Sequence, residues 1–478
     1  MNHKLTMLVD LYELTMANGM LLNGKKDTIT YFDMFFRRVP DGGGYAIIAG
    51  VQQLIEYLEN LKFSKEDIEY LRSLNLFCEE FLDYLANFKF ECDVWAVPEG
   101  TPIFPKEPII TVRGPVIQTM MIETTLLLMI NHQSLITTKA SRIVHSAKGR
   151  PVVEFGARRA QGDTAATLGS RAAFIGGCIG TSNLEAAQLY GIPPYGTMAH
   201  SWIQMFDDEY KAFKVYAENY PDSCTVLIDT YNVLKSGLPN AIKVFDEVLK
   251  PMGKRPKGVR IDSGDMTYLS KKIRKKLDEA GYEDCKILAS NSLDEYIIRG
   301  MINQGAELDT YCVGERLITA SSEPVFGGVY KLVAVEENGK IAPRIKISEN
   351  VEKITLPSFK MLWRLFDNET GKAIADVITL ADEEIDDTKP YEIFDPTYTW
   401  KRKTVTNFTA KKILIPIFES GKKIYESPSV LDIQNYCKEQ KETLWDEVKR
   451  LDNPHKYYVD ISQKLWDVRA ELLNKHSI

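Results

Sequence analysis

Histidine is scarce in this chain, with 6 in 478 residues, and its 7 cysteines stand apart without a single CxxC pair. An odd, scattered cysteine set excludes a disulfide framework and gives no readable zinc site; it suits a reducing cytoplasm. No GxxxxGK[ST] loop, no GxGxxG after a strand, no HExxH and no GxSxG elbow occurs. The common nucleotide, hydride-transfer and hydrolase motifs are therefore missing. Long hydrophobic runs are missing too. The most apolar long stretch, Val116–Ile130, contains Gln118, Glu123 and several threonines and falls short of a membrane span. Near the N-terminus, Asp10 and Glu13 interrupt any apolar core, which argues against a signal peptide. A basic excess is also absent: 59 Lys+Arg against 66 Asp+Glu leaves a net charge of −7, unlike a dedicated nucleic-acid binder. A soluble, cytoplasmic protein with neither nucleic acid nor membrane as partner is expected.

What is present is an ordinary globular composition, 44% apolar and 26% charged, over a length suggesting two to four domains. The first segment, 1–135, mixes helical patterns with short strands and reads as an N-terminal α/β domain. Through 136–340 a different rhythm holds: apolar run, polar turn, helical pattern. The runs are Val152–Phe155, Ala173–Ile179, Val226–Ile228, Gly258–Ile261, Ile287–Ala289 and Tyr311–Val313. Starts spaced roughly 20–50 residues apart suit parallel βα units, not hairpins. Ser182 and Ser292 are placed to cap the helices that follow, each with Glu three residues on. A βα barrel or a doubly wound sheet is expected, with ligands at the strand C-termini. The final segment, 341–478, reads as strands followed by helices, with Ile461, Leu465, Val468 and Leu472 on one helical face.

The turns carry the candidate chemistry. His200, in Gly196-Thr-Met-Ala-His200-Ser-Trp, reads as a hydrogen-bonded core or interface histidine or as a functional imidazole. Asp229 and Asp262 each follow an apolar run directly and so mark strand ends. Each suits a helix cap, and equally an imidazole, Mg²⁺ or a ribose with developing positive charge. Phe155-Gly-Ala-Arg158-Arg159 sets an aromatic ring beside guanidinium groups, suited to a carboxylate or phosphate or to surface pairing. Ser290-Asn291-Ser292 precedes a helix and suits phosphate or a plain cap. Lys271–Lys276 reads as a solvated helix face, and Gly42–Gly44, after Arg37 and Arg38, as a mobile turn.

Nine segments occur in order: DLYELTMA (10–17), FFRRVPDGGGYAIIAG (35–50), EFGARRAQG (154–162), GTSN (180–183), GTMAHSW (196–202), LIDTYNVLKSGLPN (227–240), GVRIDSGD (258–265), ASNSLDE (289–295) and GGVYKL (327–332). Together they resemble the bacterial nicotinate phosphoribosyltransferases, of the type II phosphoribosyltransferase family. The resemblance implies an α/β fold: an irregular βα barrel catalytic domain with an N-terminal α/β domain and a C-terminal extension. It implies a ligase-type enzyme of NAD salvage. Nicotinate, phosphoribosyl pyrophosphate, ATP and water would give nicotinate mononucleotide, pyrophosphate, ADP and phosphate through a phosphohistidine, with Mg²⁺. It also implies a homodimer in which an N-terminal tyrosine reaches the partner's pyridine site.

Residue by residue, the resemblance makes His200 the phosphorylated histidine, Asp229 the carboxylate orienting it, and Asp262 the acidic group near the reacting ribose. Tyr12 and Phe155 become the aromatic sandwich, with Arg158, Thr197 and Arg260 on nicotinate. Ser290, Asn291 and Gly314 become the 5′-phosphate seat of phosphoribosyl pyrophosphate, with Arg37 and Arg38 on its polyphosphate. Metal ligands are not assigned. Many relatives carry Thr where this chain has Glu315, so a hydroxyl contact is lost there. The nearest alternative is nicotinamide phosphoribosyltransferase, whose turn resembles Gly-Thr-Asp; Gly180-Thr181-Ser182 here lacks that carboxylate, which favours an anionic substrate. A non-catalytic barrel relative is the other alternative, and retention of His200, Asp229 and Asp262 speaks against it.

Overall fold

In the computed structural model, which describes residues 5–350 and 353–476, the short apolar runs become buried parallel strands. Val152–Glu154, Thr225–Leu227, Gly258–Ile261, Lys286–Ser290 and Thr310–Val313 form one sheet. Starting from Val152–Glu154, the neighbours across it are Thr310–Val313, Lys286–Ser290, Gly258–Ile261 and Thr225–Leu227, all parallel. Single parallel bridges from Glu154 to Thr181 and from Thr181 to Pro194 continue the pattern past the Val152–Glu154 edge. This is an irregular βα barrel. Its strands lack alternation because both of their faces are covered.

The helices around the sheet follow their sequence signals. Met266–Glu279 starts where Asp265 accepts a hydrogen bond from the Tyr268 N–H at 2.9 Å, buries Ile273 and Leu277, and ends at Gly281 with φ of 78°. Each such buried aliphatic side chain contributes about 2 kcal/mol. Lys272 and Lys275 face solvent, but Arg274 lies inward and donates to the carbonyls of Cys285 and Tyr282.

Several expectations are corrected. Ala173–Ile179 is not a strand. Ala173 lies in the helix Asp163–Gly176, and at Gly176 a side chain would strike Ala140 and the Thr137 carbonyl. Small residues let this helix lie tight on its neighbour, and a short apolar run alone does not separate helix from strand. The caps are Asn183 and Asp294, not Ser182 and Ser292. Gly42–Gly44 is not a free turn, because Gly44 packs against the Val448 carbonyl and Pro454. Ile461 ends the strand Val459–Ile461, so it does not share the face of the helix Gln463–His476.

The described residues divide into two compact units: Ile136–Pro324, and those up to Leu135 together with those from Val325 onward. The expected segments 1–135 and 341–478 therefore share one unit. Ile415–Glu419 pairs antiparallel with Asp93–Ala96, which places the C-terminal chain in the N-terminal sheet. The barrel unit ends before 340 because Gly328–Glu337 pairs with Ile29–Phe36. A second, six-stranded sheet is built around the antiparallel pair Lys360–Asp367 and Ala373–Leu380. At its centre Arg364 pairs with Asp376 at 2.6 Å, both fully buried, and donates to the Pro102 carbonyl. Removing either partner would leave a buried charge without compensation.

Candidate active site

Three barrel strands end in side chains that converge. Asp262, just past Gly258–Ile261, is the hub. Its backbone N–H donates to Asp229 Oδ2 at 2.8 Å, and its Oδ1 accepts from Ser290 Oγ at 2.5 Å. Its Oδ2 lies 3.8 Å from His200 Nε2. Asp229 is buried, and its Oδ2 also accepts from Ser263 Oγ at 2.6 Å. On the other side of the imidazole, His200 Nδ1 is 3.1 Å from Thr230 Oγ1. The network thus joins the ends of strands from three separate sequence positions. The carboxylate 3.8 Å from His200 is Asp262, while Asp229 holds the Asp262–Ser263 turn. Asp229 Oδ1 is buried with no hydrogen-bond partner among the described residues.

The backbone around Asp229 is held by close packing. A side chain at Gly237 would run into the Ile228 carbonyl, and Gly237 closes the π-helical turn Val233–Gly237 that Asn232 caps. Such turns recur near functional sites. This seats the Asp229-Thr230 turn beside the start of the short helix His200–Gln204.

A second wall comes from Glu154, a residue the sequence reading passed over. Its buried carboxylate accepts from the Gly156 N–H, from Ser170 Oγ at 2.9 Å and from Thr181 Oγ1 at 2.6 Å. Burial pushes its pKa up, and these hydrogen bonds pull it back down. It ties the Phe155-Gly156 turn to the Thr181 bridge. The Phe155 N–H donates to the Val313 carbonyl at 2.7 Å, and a Cβ on Gly314 would sit 3.1 Å from the Phe155 carbonyl. Phe155 and Gly314 are therefore brought together.

Thr197 and Arg260 also meet: both donate to the Met198 carbonyl, at 3.4 and 3.0 Å. Arg260 Nε is buried without a hydrogen-bond partner among the described residues. Ser290 is followed by Asn291 and Ser292 with φ of 89° and 50°. Consecutive left-handed residues that are not glycine mark a constrained turn of the kind kept at ligand sites. Arg158 is exposed. Glu315 is exposed too, 3.9 Å from Arg159. Tyr12, Arg37 and Arg38 belong to the other unit. Tyr12 lies on the helix Leu11–Leu22, and its hydroxyl is pushed up to about 12 by burial and by Glu123, Glu13 and Asp10. Thr230, Ser263 and Glu154 are the site residues the sequence reading missed. Thr230 and Ser263 each directly follow an assigned aspartate, which was the available signal.

A parallel βα barrel with a histidine, two aspartates and three hydroxyls joined at its strand C-termini defines a barrel enzyme. Three family models match: the nicotinate phosphoribosyltransferase N-terminal domain over residues 7–131, the nicotinate phosphoribosyltransferase family over 151–306, and its C-terminal domain over 359–469. The chain is 43% identical over 473 residues to nicotinate phosphoribosyltransferase of Bacillus subtilis (strain 168), covering 98% of this chain and 96% of that one. It is 30% identical to the Homo sapiens enzyme of the same name, over 96% and 95% of the two chains. The crystal structure of human nicotinic acid phosphoribosyltransferase aligns with a TM-score of 0.84 at 28% identity, covering 98% and 99%. The chain belongs to the nicotinate phosphoribosyltransferase family.

Proposed function

We propose that this chain joins nicotinate to phosphoribosyl pyrophosphate and couples the transfer to ATP through a phosphate carried on His200. The observation that carries the proposal is the Asp262 hub, within reach of both His200 Nε2 and Ser290 Oγ. The pyridine nitrogen attacks C1 of the phosphoribosyl group as the bond to pyrophosphate breaks. Positive charge grows at the ribose, and Asp262 and Asp229 provide fixed negative charge for it. Arg260 and Thr197 suit the nicotinate carboxylate, Phe155 and Tyr12 its ring, and Arg158 lies on the same turn as Phe155. Ser290, Asn291 and Gly314 suit the 5′-phosphate, and Arg37 and Arg38 the polyphosphate.

Coupling runs through the imidazole. One nitrogen takes the γ-phosphoryl group of ATP, releasing ADP, and water later removes it as phosphate. The attacking nitrogen must leave its neighbour, Thr230 for Nδ1 or Asp262 for Nε2. A nearby carboxylate keeps the phosphorylated ring energetic by like-charge repulsion. Asp262 and Asp229 Oδ1, the latter without a hydrogen-bond partner among the described residues, are hard oxygen donors that would hold Mg²⁺. When bound, it would neutralise charge on the leaving pyrophosphate.

A homodimer suits the N-terminal segment, where Leu8 and the helix residues Leu11, Tyr12 and Met16 are 40–52% exposed. Such an apolar set calls for a partner surface, and a second copy would use it twice. No helix among the described residues is long and apolar enough to cross a membrane; a cytoplasmic site of action fits salvage of a soluble base. Chromatographic assay of product from nicotinate or nicotinamide with phosphoribosyl pyrophosphate, with and without ATP, tests the reading. Nicotinate mononucleotide should form, faster with ATP and with ADP released alongside. Turnover of nicotinamide alone would overturn it.

A further inference from the structure

The unit that holds the N- and C-terminal segments contains a cavity of about 1190 Å³. Its walls come from the turn after the strand Ile29–Phe36 and from the C-terminal strands Tyr391–Phe394, Arg402–Val405 and Val459–Ile461. Nine Lys and Arg residues line it against three Asp. The carboxylates do not balance that excess. Asp33 is taken by Lys360 at 2.7 Å, both buried, and Asp395 lies 3.9 Å from Lys456. Arg402 pairs with Glu392. Among the described residues, Lys401, Lys403 and Arg469 have no ion pair; Lys401 sits over the Tyr398 ring, and Arg469 over Trp466. Arg37 Nε is buried without a hydrogen-bond partner. Burial draws the Arg469 guanidinium below its ordinary pKa, with no carboxylate to offset the effect.

Cations facing one cavity repel one another and weaken the fold unless an anion joins them. The volume exceeds what inorganic phosphate needs and leaves room for a small organic ligand. Tyr398 and Tyr458 on the lining are 42% and 52% exposed and offer rings to a base or sugar. Flexible lysines around a rigid arginine suit a chain of phosphates, whose charge is spread over several atoms.

We infer that the C-terminal segment supplies Lys401, Lys403 and Lys456 as the cationic wall of a polyphosphate-ester site that it shares with Arg37. This gives the C-terminal segment a role in substrate handling, and it rests on the proposed function only in taking the ester to be one of that reaction's polyphosphates. The acidic groups facing the wall are Asp395 and Asp460. Asp460 is pushed up to about 6 by burial and by Asp395, and drawn back by Lys456 and Lys403.

The test is calorimetric titration of the full chain with three probes: inorganic tripolyphosphate, ATP and phosphoribosyl pyrophosphate. Lys401, Lys403 and Lys456 are exposed, so the triple change Lys401→Gln, Lys403→Gln and Lys456→Gln should leave the fold intact, as circular dichroism will verify. At least one probe should bind about tenfold or more weakly, with a flatter dependence on salt. Nicotinate affinity should stay unchanged. Replacing the same three with Arg should keep the affinity. A loss confined to ATP or to phosphoribosyl pyrophosphate supports the site and names its source. Unchanged binding of all three probes overturns it, as does equal loss in the Arg variant. Failure of the proposed reaction shows separately, as wild-type protein that binds tripolyphosphate and makes no nucleotide.

Discussion

Replacing Glu154 with Leu should loosen the nicotinate side of the site without unfolding the barrel. The carboxylate is fully buried and accepts three hydrogen bonds, from Gly156 N–H, Ser170 Oγ and Thr181 Oγ1. Leu is similar in size and accepts none. Each buried donor left without an acceptor costs about 1–3 kcal/mol. Removing a buried carboxylate recovers part of this, because burial raises its pKa and so opposes its charged form. A net local loss of about 3 kcal/mol follows, or roughly 150-fold in an opening equilibrium. Hydrogen exchange resolved by peptide should show that acceleration at residues 155–159 and 181–183, with the Gly258–Ile261 and Lys286–Ser290 strands unchanged. The Michaelis constant for nicotinate should rise more than that for phosphoribosyl pyrophosphate, because Phe155 sits on the loosened turn. Glu154→Gln keeps one acceptor oxygen and should show an intermediate effect. Wild-type exchange and kinetics in the Leu variant would refute the reasoning.

Arg260→Ala should raise the Michaelis constant for nicotinate by about 10- to 100-fold, the worth of a charge-assisted pair, while steady-state kinetics show little change for phosphoribosyl pyrophosphate. Glu13 is buried and bonded to Thr124, and burial pushes its carboxyl up to about 7. A raised folded-state pKa means that its contribution is fully present below the unfolded value and lost as pH rises through about 7. Glu13→Gln should therefore gain stability over wild type, by up to about 3 kcal/mol as pH climbs from 5 to 8.5, and thermal unfolding across that range checks the sign. Mixing Tyr12→Ala chains with His200→Ala chains should restore about a quarter of the coupled activity if sites are shared across a two-fold interface; no recovery despite proven subunit exchange would place Tyr12 in its own subunit's service.

The barrel was legible because strand, polar turn and helix recur along the chain, and because Asp229, Asp262 and Ser290 each stand where an apolar run stops. The misassigned strand at Ala173–Ile179 shows where that legibility ends. Ala and Ile in a short run serve a buried helix and a buried strand alike, and the close contact of Gly176 with Thr137 and Ala140 is set by tertiary packing. Cap positions slipped for a local reason. Asn183 and Asp294 offer carboxamide or carboxylate oxygens one and two residues after Ser182 and Ser292. The pairing of His200 with Asp262 was not readable either, because which strand ends are adjacent depends on sheet order. Glu154 was hidden by its type, since a glutamate ending an apolar strand is read as exposed unless its three donors are seen. The single-unit assembly of the two terminal segments depends on pairings such as Ile415 with Ala96, across more than 300 positions, and no local pattern signals them.

The most direct measurement of the central claim is the fate of the ATP γ-phosphate on the protein. Wild-type protein incubated with γ-labelled ATP and Mg²⁺ should acquire an acid-labile, base-stable label, located to His200 by peptide mapping, and phosphorus NMR should assign it to Nδ1 or Nε2. His200→Ala should carry no label and should no longer link ADP release to product, while slow transfer persists. Label that survives in His200→Ala, or ATP coupling that proceeds without it, would contradict the account.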